Sequence, residues 1–113
     1  PFLKKETIID AISYLDKGYE FVHSVYERQD FAWLGEEYKP INFDPSVVQR
    51  TQDVPKIYFS NGAFFIFRKK DFKRYNNRLG DNNYYYPLDL VESVEIDTMQ
   101  DLNFARLIYR GMY

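Results

Sequence analysis

The sequence predicts a layered α/β domain. Three observations carry this: an apolar helical stripe near the start, several short apolar runs of strand character after it, and a capped amphipathic helix at the end. Helix, strand, loop, strands, helix, strands and helix follow one another, an order that makes neither a bundle nor a sandwich. A chain of 113 residues has room for one domain.

The elements follow in order. Ile8, Ala11, Ile12 and Leu15 recur at the spacing of one helix face, and Lys17-Gly18 supplies a basic last turn and a stop. Glu20 to Tyr26 reads as a strand around Phe21, Val22 and Val25. From Glu27 to Val54 periodicity is lost among Pro40, Pro45, Phe31, Trp33, Tyr38 and Phe43, and so long an irregular stretch points to a functional loop or an interface. Lys56 to Phe59 and Ala63 to Phe67 flank Ser60-Asn61-Gly62, which predicts a hairpin closed by a type I′ Asn-Gly turn. Lys69 to Tyr75 reads as a short polar helix and Asn76 to Asn83 as loop. Tyr84 to Leu88 and Glu92 to Ile96 read as strands. Thr98 with Asp101 makes a capping box opening a helix that aligns Leu102, Ala105 and Tyr109.

Composition narrows the function. At 45% hydrophobic the chain is no disordered tail, and 11 Tyr with 10 Phe supply pocket walls or an interface as well as core. A net charge of −2 argues against nucleic-acid binding. The basic run Arg68, Lys69, Lys70, Lys73, Arg74 and Arg78 is interrupted by Asp71 and reads as a solvated helix face. No apolar run approaches the ~20 residues of a membrane helix. Without cysteine there is neither a disulfide framework nor a thiolate metal site, which fits a cytoplasmic home. His23 has no second His or Cys at ligand spacing, so it reads as a strand residue.

The chemistry concentrates near the end. On a strand Glu95 and Asp97 would share one face while Ile96 pointed to the core. Two carboxylates ~7 Å apart repel unless a cation or a basic group lies between them. Six acidic residues and no Lys or Arg fall between Leu79 and Ala105. Mg²⁺ is commonly held by one or two carboxylates plus substrate phosphates, and a helix N-terminus follows at Thr98. The plain alternative is a solvated strand face. Asn61-Gly62 likewise reads as a turn, and Arg50 as a surface charge. Tyr84-Tyr85-Tyr86 reads as packing more than as a stacking platform.

Asn61-Gly62-Ala63-Phe64-Phe65-Ile66 and Glu95-Ile96-Asp97-Thr98-Met99-Gln100-Asp101-Leu102 resemble the two C-terminal motifs of the acylneuraminate (sialic acid) cytidylyltransferase family, with Glu where the family's second motif opens on Asp. Arg50-Thr51-Gln52-Asp53-Val54-Pro55 is similar to its Arg-x-Gln-x-x-Pro element. The resemblance spans nearly the whole chain. It implies the C-terminal half of a nucleotidyltransferase, with a GT-A-like mixed sheet flanked by helices. It further implies transfer of CMP from CTP to a nine-carbon 2-keto sugar acid with release of pyrophosphate.

By that resemblance Asp97 and Glu95 are catalytic and hold Mg²⁺. Arg50 clamps the sugar carboxylate with Gln52 beside it, Asn61 lines the sugar site, and Gly62 keeps the backbone close to substrate. The family's Gly/Ser/Arg/Lys-rich nucleotide loop has no counterpart here, so the 113-residue chain alone is expected to be inactive and not to persist as a monomer. The intact enzyme is expected to be a homodimer or higher oligomer, with Glu27–Val54 and Asn76–Asn83 contributing to its interface. The competing reading is a non-catalytic α/β interaction or dimerisation module.

Overall fold

A computed structural model describes residues 1–113 as two compact units, the first made of Pro1–Tyr26 with Ser60–Tyr113 and the second of Glu27–Phe59. Three helices, α1 (Lys5–Ser13), α2 (Lys69–Tyr75) and α3 (Met99–Met112), accompany five strands: β1 (Phe21–Arg28), β2 (Trp33–Leu34), β3 (Lys39–Pro40), β4 (Ile57–Phe67) and β5 (Asn83–Leu88).

The first unit is a small mixed α/β domain. Its sheet has the order β4-β1-β5, with β1 parallel to β5 from Phe21 opposite Asn83 to Tyr26 opposite Leu88. Phe21 meets Phe67, His23 meets Phe65 and Ser24 meets Phe64, so the partners fall as β1 rises and β4 runs antiparallel. As the central strand, β1 is covered on both faces, and Phe21 to Val25 are all buried. Ala11 of α1, Leu88 of β5 and Ala105 of α3 complete the core.

The helices begin and end for local reasons. α1 runs into a 3₁₀ turn, Tyr14–Lys17, and stops at Gly18 as the sequence predicts. Tyr14 stacks on Tyr84 at 3.8 Å, and the Tyr86 hydroxyl donates to Asp10 at 2.6 Å, fastening this end to β5. The hydrogen bond with Tyr14, then burial, pushes Tyr84 up to about 12. α2 spans the predicted residues. Its Lys69, Lys70, Lys73 and Arg74 are exposed, while Phe72 stacks on Phe67 at 5.3 Å.

The capping box of α3 is formed. Asp101 N–H donates to Thr98 Oγ1 at 3.1 Å, and Thr98 N–H donates to the Asp101 carboxylate at 3.0 Å. Thr98→Ala removes an oxygen that satisfies an otherwise free helical N–H, and is expected to cost about 1 kcal/mol in urea unfolding. A loss indistinguishable from zero would show that the box does not hold the helix. No helix is long and apolar enough to cross a membrane.

Two predicted elements are absent. β4 continues from Ile57 to Phe67 without a hairpin, and Gly62, at φ +68°, is its only residue of positive φ. A type I′ turn needs positive φ at Asn61 as well, which Asn61 does not have. Glu92–Ile96 is not a strand: residues 90–93 form a turn and 94–96 have no regular structure.

The second unit gives the unpatterned region its own order. β2 and β3 pair as a two-stranded ribbon, and Phe43 meets Phe31 and Trp33 edge-on at 5.0 and 5.1 Å. Asn42 accepts from Ala32 N–H and donates to the carbonyls of Asp30 and Pro55. The Gln29 amide donates to the carbonyls of Gln52 and Val54.

His23 lies buried in β1, with Nε2 at 2.8 Å from Ser60 Oγ and Nδ1 without a partner. Burial, then the charge of Arg78, lowers its pKa, so the folded chain favours the neutral ring. Below the ordinary value of ~6.5 the unfolded chain binds more protons than the folded one. Stability is therefore whole above about pH 6.5 and falls as the pH drops through that value toward the lowered one. His23 is the single histidine, so urea midpoints at successive pH values from neutral downward should decline in the native chain and flatten in His23→Phe. Equal slopes in both would refute this.

Candidate functional site

An open cleft of about 460 Å³ lies in the first unit, walled by Asn61, Gly62 and Ala63 of β4 on one side and by residues 92–97 on the other, with Pro1 and Leu3 at its edge. Glu95 and Asp97 both line it, and both are exposed. Neither is engaged in an ion pair. The two acids meet the cleft because of how their segment is held and not through strand alternation. Ile96, expected in the core, is 44% exposed and lines the same cleft.

The wall built from β4 depends on a left-handed step. Gly62 sits at φ +68°, and a Cβ there would come 3.1 Å from Glu95 Oε1. The missing side chain thus leaves room for that carboxylate. Beside it, Asn61 is buried: its Oδ1 accepts from Ser24 Oγ at 2.6 Å and from Ala63 N–H at 3.1 Å, while its Nδ2 donates to Ser93 Oγ at 3.4 Å. Ser24, fully buried, also accepts from Phe64 N–H at 2.9 Å.

The opposite wall is a turn followed by an extended span. Ser93 N–H donates to the Asp89 carbonyl at 3.0 Å, Val94 N–H to that of Val91 at 3.2 Å, and Glu92 N–H to the Asp89 carboxylate at 2.7 Å. After the span, Asp97 N–H donates to Asp101 Oδ2 at 3.0 Å. That bond first, and then those with Thr98, hold the Asp101 carboxyl below its ordinary range. The residue read as a helix cap therefore also fixes the backbone of Asp97.

Glu92 was not singled out in the sequence. It is buried at the cleft wall, and its Oε2 accepts the backbone N–H of Lys4 at 3.3 Å. The acid-rich stretch was its only sequence signal.

Arg50 and Gln52 belong to the second unit, where a 3₁₀ turn, Thr51–Asp53, draws them together. Arg50 Nε donates to Asp53 Oδ2 at 3.1 Å, and the Gln52 amide oxygen, turned toward it, accepts from Nη1 at 2.9 Å and Nη2 at 3.2 Å. The guanidinium is already engaged by a carboxylate of its own segment.

No three His, Cys, Asp or Glu side chains are gathered as a protein-only metal cage. Mg²⁺ does not require one, since it keeps several waters and uses one or two carboxylates with substrate phosphates. Two unpaired carboxylates on an open cleft, beside the N-terminus of a 14-residue helix, meet that requirement.

Fold and cleft together define a small α/β domain that presents carboxylates to solvent from one concave face. No protein-family model matches the chain. It is similar to N-acylneuraminate cytidylyltransferase A of Danio rerio, 31% identical over 104 residues that cover 86% of this chain and 24% of that protein. It is also similar to N-acylneuraminate cytidylyltransferase B of Danio rerio, 26% identical over 121 residues covering 100% of this chain and 29% of that protein. The chain spans about a quarter of the length of these curated relatives, and its relationship to them is distant.

Proposed function

We propose that this chain supplies the carboxylate-bearing part of a nucleotide-sugar cytidylyltransferase, which transfers CMP from CTP to a sialic-acid-like 2-keto sugar acid and releases pyrophosphate. The observation that carries the reading is the cleft itself. Asn61-Gly62 and the Glu95–Asp97 segment wall one cavity that holds two unpaired carboxylates. Similarity to two N-acylneuraminate cytidylyltransferases supports it, in one case over the whole chain.

In this reading the anomeric hydroxyl oxygen of the sugar bonds to the α-phosphorus of CTP. The bond from that phosphorus to the bridging oxygen breaks, pyrophosphate departs, and the hydroxyl proton passes to water. Asp97 and Glu95 would hold Mg²⁺, which when bound would supply neutralisation of triphosphate charge and a lower cost of ionising the attacking hydroxyl. Gly62 brings backbone rather than side chain to the substrate wall. By the resemblance Arg50 is assigned the sugar carboxylate, which its planar fork suits, with Gln52 as its polar neighbour. Binding there would require Asp53 and Gln52 to give up the bonds they now make to the guanidinium. The finer fold assignment, a GT-A-like nucleotidyltransferase sheet, belongs to the same proposal, as does action as a dimer or higher oligomer.

The test is direct. The intact protein, given CTP, Mg²⁺ and acetylneuraminate, legionaminate or pseudaminate in turn, should form a CMP-sugar and pyrophosphate with one of them. Absence of product with all three would overturn the reading.

A further inference from the structure

We propose that Asn61 is a positioning residue: acting through Ser93, it ties the span that carries Glu95 and Asp97 to the centre of the sheet. The proposal rests on the reading of those carboxylates given above, and its test separates the two.

The hydrogen-bond capacity of Asn61 is nearly spent within the protein. An amide oxygen accepts two bonds, and this one already takes the Ser24 hydroxyl and the Ala63 N–H. Of the two amide protons, one faces Ser93 Oγ. With 5% of its surface exposed, Asn61 has little left to offer a ligand that enters the cleft. Its partners explain its place. Ser24 is 0% exposed on the central strand and gives the amide a rigid anchor. Ser93 ends the turn that begins at Asp89 and opens the span 94–97.

That span is held at its two ends. Ser93 is tied to Asn61, and Asp97 N–H is tied to the Asp101 carboxylate. Glu95 lies between them, with its carboxylate over the site where Gly62 lacks a side chain. Asn61 and Gly62 thus act together on the carboxylate segment, the first by tying it down and the second by making room for it. Without the Ser93 tie this end of the span keeps only the turn bonds of Ser93 N–H and Val94 N–H, loses its link to the sheet, and leaves the Glu95 oxygens less closely placed.

The variant to make in the intact protein is Ser93→Ala, which deletes the tie and leaves the buried Ser24–Asn61 contact in place; Ser93→Thr restores a hydroxyl. Hydrogen–deuterium exchange of the 89–98 peptide should run about fivefold faster in Ser93→Ala and return toward native in Ser93→Thr. Mn²⁺ affinity, followed by electron paramagnetic resonance, should weaken about tenfold in Ser93→Ala and recover in Ser93→Thr. Native exchange of the 89–98 peptide in Ser93→Ala would overturn the proposal, as would failure of Ser93→Thr to recover. If exchange responds as expected but the native protein takes up no Mn²⁺, the tether stands and the metal reading of the carboxylates falls.

Discussion

Replacing Phe21 with alanine is expected to cost about 3–5 kcal/mol, a large part of the 5–15 kcal/mol that holds a typical domain folded. Phe21 is 0% exposed on the central strand. Its ring meets Phe67 at 5.9 Å and Tyr75 at 5.7 Å, so it joins β1, β4 and α2. The packing around it has no slack. A Cβ on Gly80 would come 2.7 Å from Phe21 and 2.6 Å from Tyr75, closer than real side chains approach. Backbone already fills the space beside the ring, so little can move in to close the cavity. Urea unfolding and near-ultraviolet circular dichroism would measure the loss. A cost below about 1 kcal/mol would mean that the sheet is held from elsewhere.

The second large effect falls on activity. Asp97→Asn keeps the shape of the side chain and removes its charge. The bond that fixes its backbone, from Asp97 N–H to Asp101, is untouched, so the variant should fold as the native chain does. If Asp97 is a ligand for Mg²⁺, kcat/KM for CMP-sugar formation should fall by about two orders of magnitude or more. Glu95→Gln should follow with a smaller loss, since the longer glutamate side chain fixes its oxygens less rigidly. Steady-state kinetics across a range of Mg²⁺ concentrations would decide it. An Asp97→Asn enzyme within about twofold of native would remove Asp97 from the mechanism, and a Glu95→Gln enzyme equally close to native would remove Glu95.

The elements set by near neighbours in the chain were legible from residue order. α2 occupies the predicted residues, the Thr98–Asp101 box has both of its hydrogen bonds, and Gly18 stops the first helical segment. These features depend on contacts a few residues apart. The hairpin was misread because Asn-Gly favours a tight turn only when nothing distant competes. Ser24, 37 residues upstream of Asn61, takes its amide oxygen and holds β4 as one strand.

The candidate site divides in the same way. Its chemistry could be read along the chain: acids without neighbouring bases, a glycine beside an asparagine, and a helix start after the second acid. The convergence of Asn61, Gly62, Glu95 and Asp97 on one cleft could not, nor could the burial of Glu92 there. The pair faces that cleft without the strand that was to aim it, because ties at Ser93 and Asp101 shape the span instead. Local propensity acts through bonds within a turn or two of the chain. Which distant hydroxyl reaches which amide depends on where the sheet sets its strands, and here that choice turned a predicted turn into the wall of a cleft.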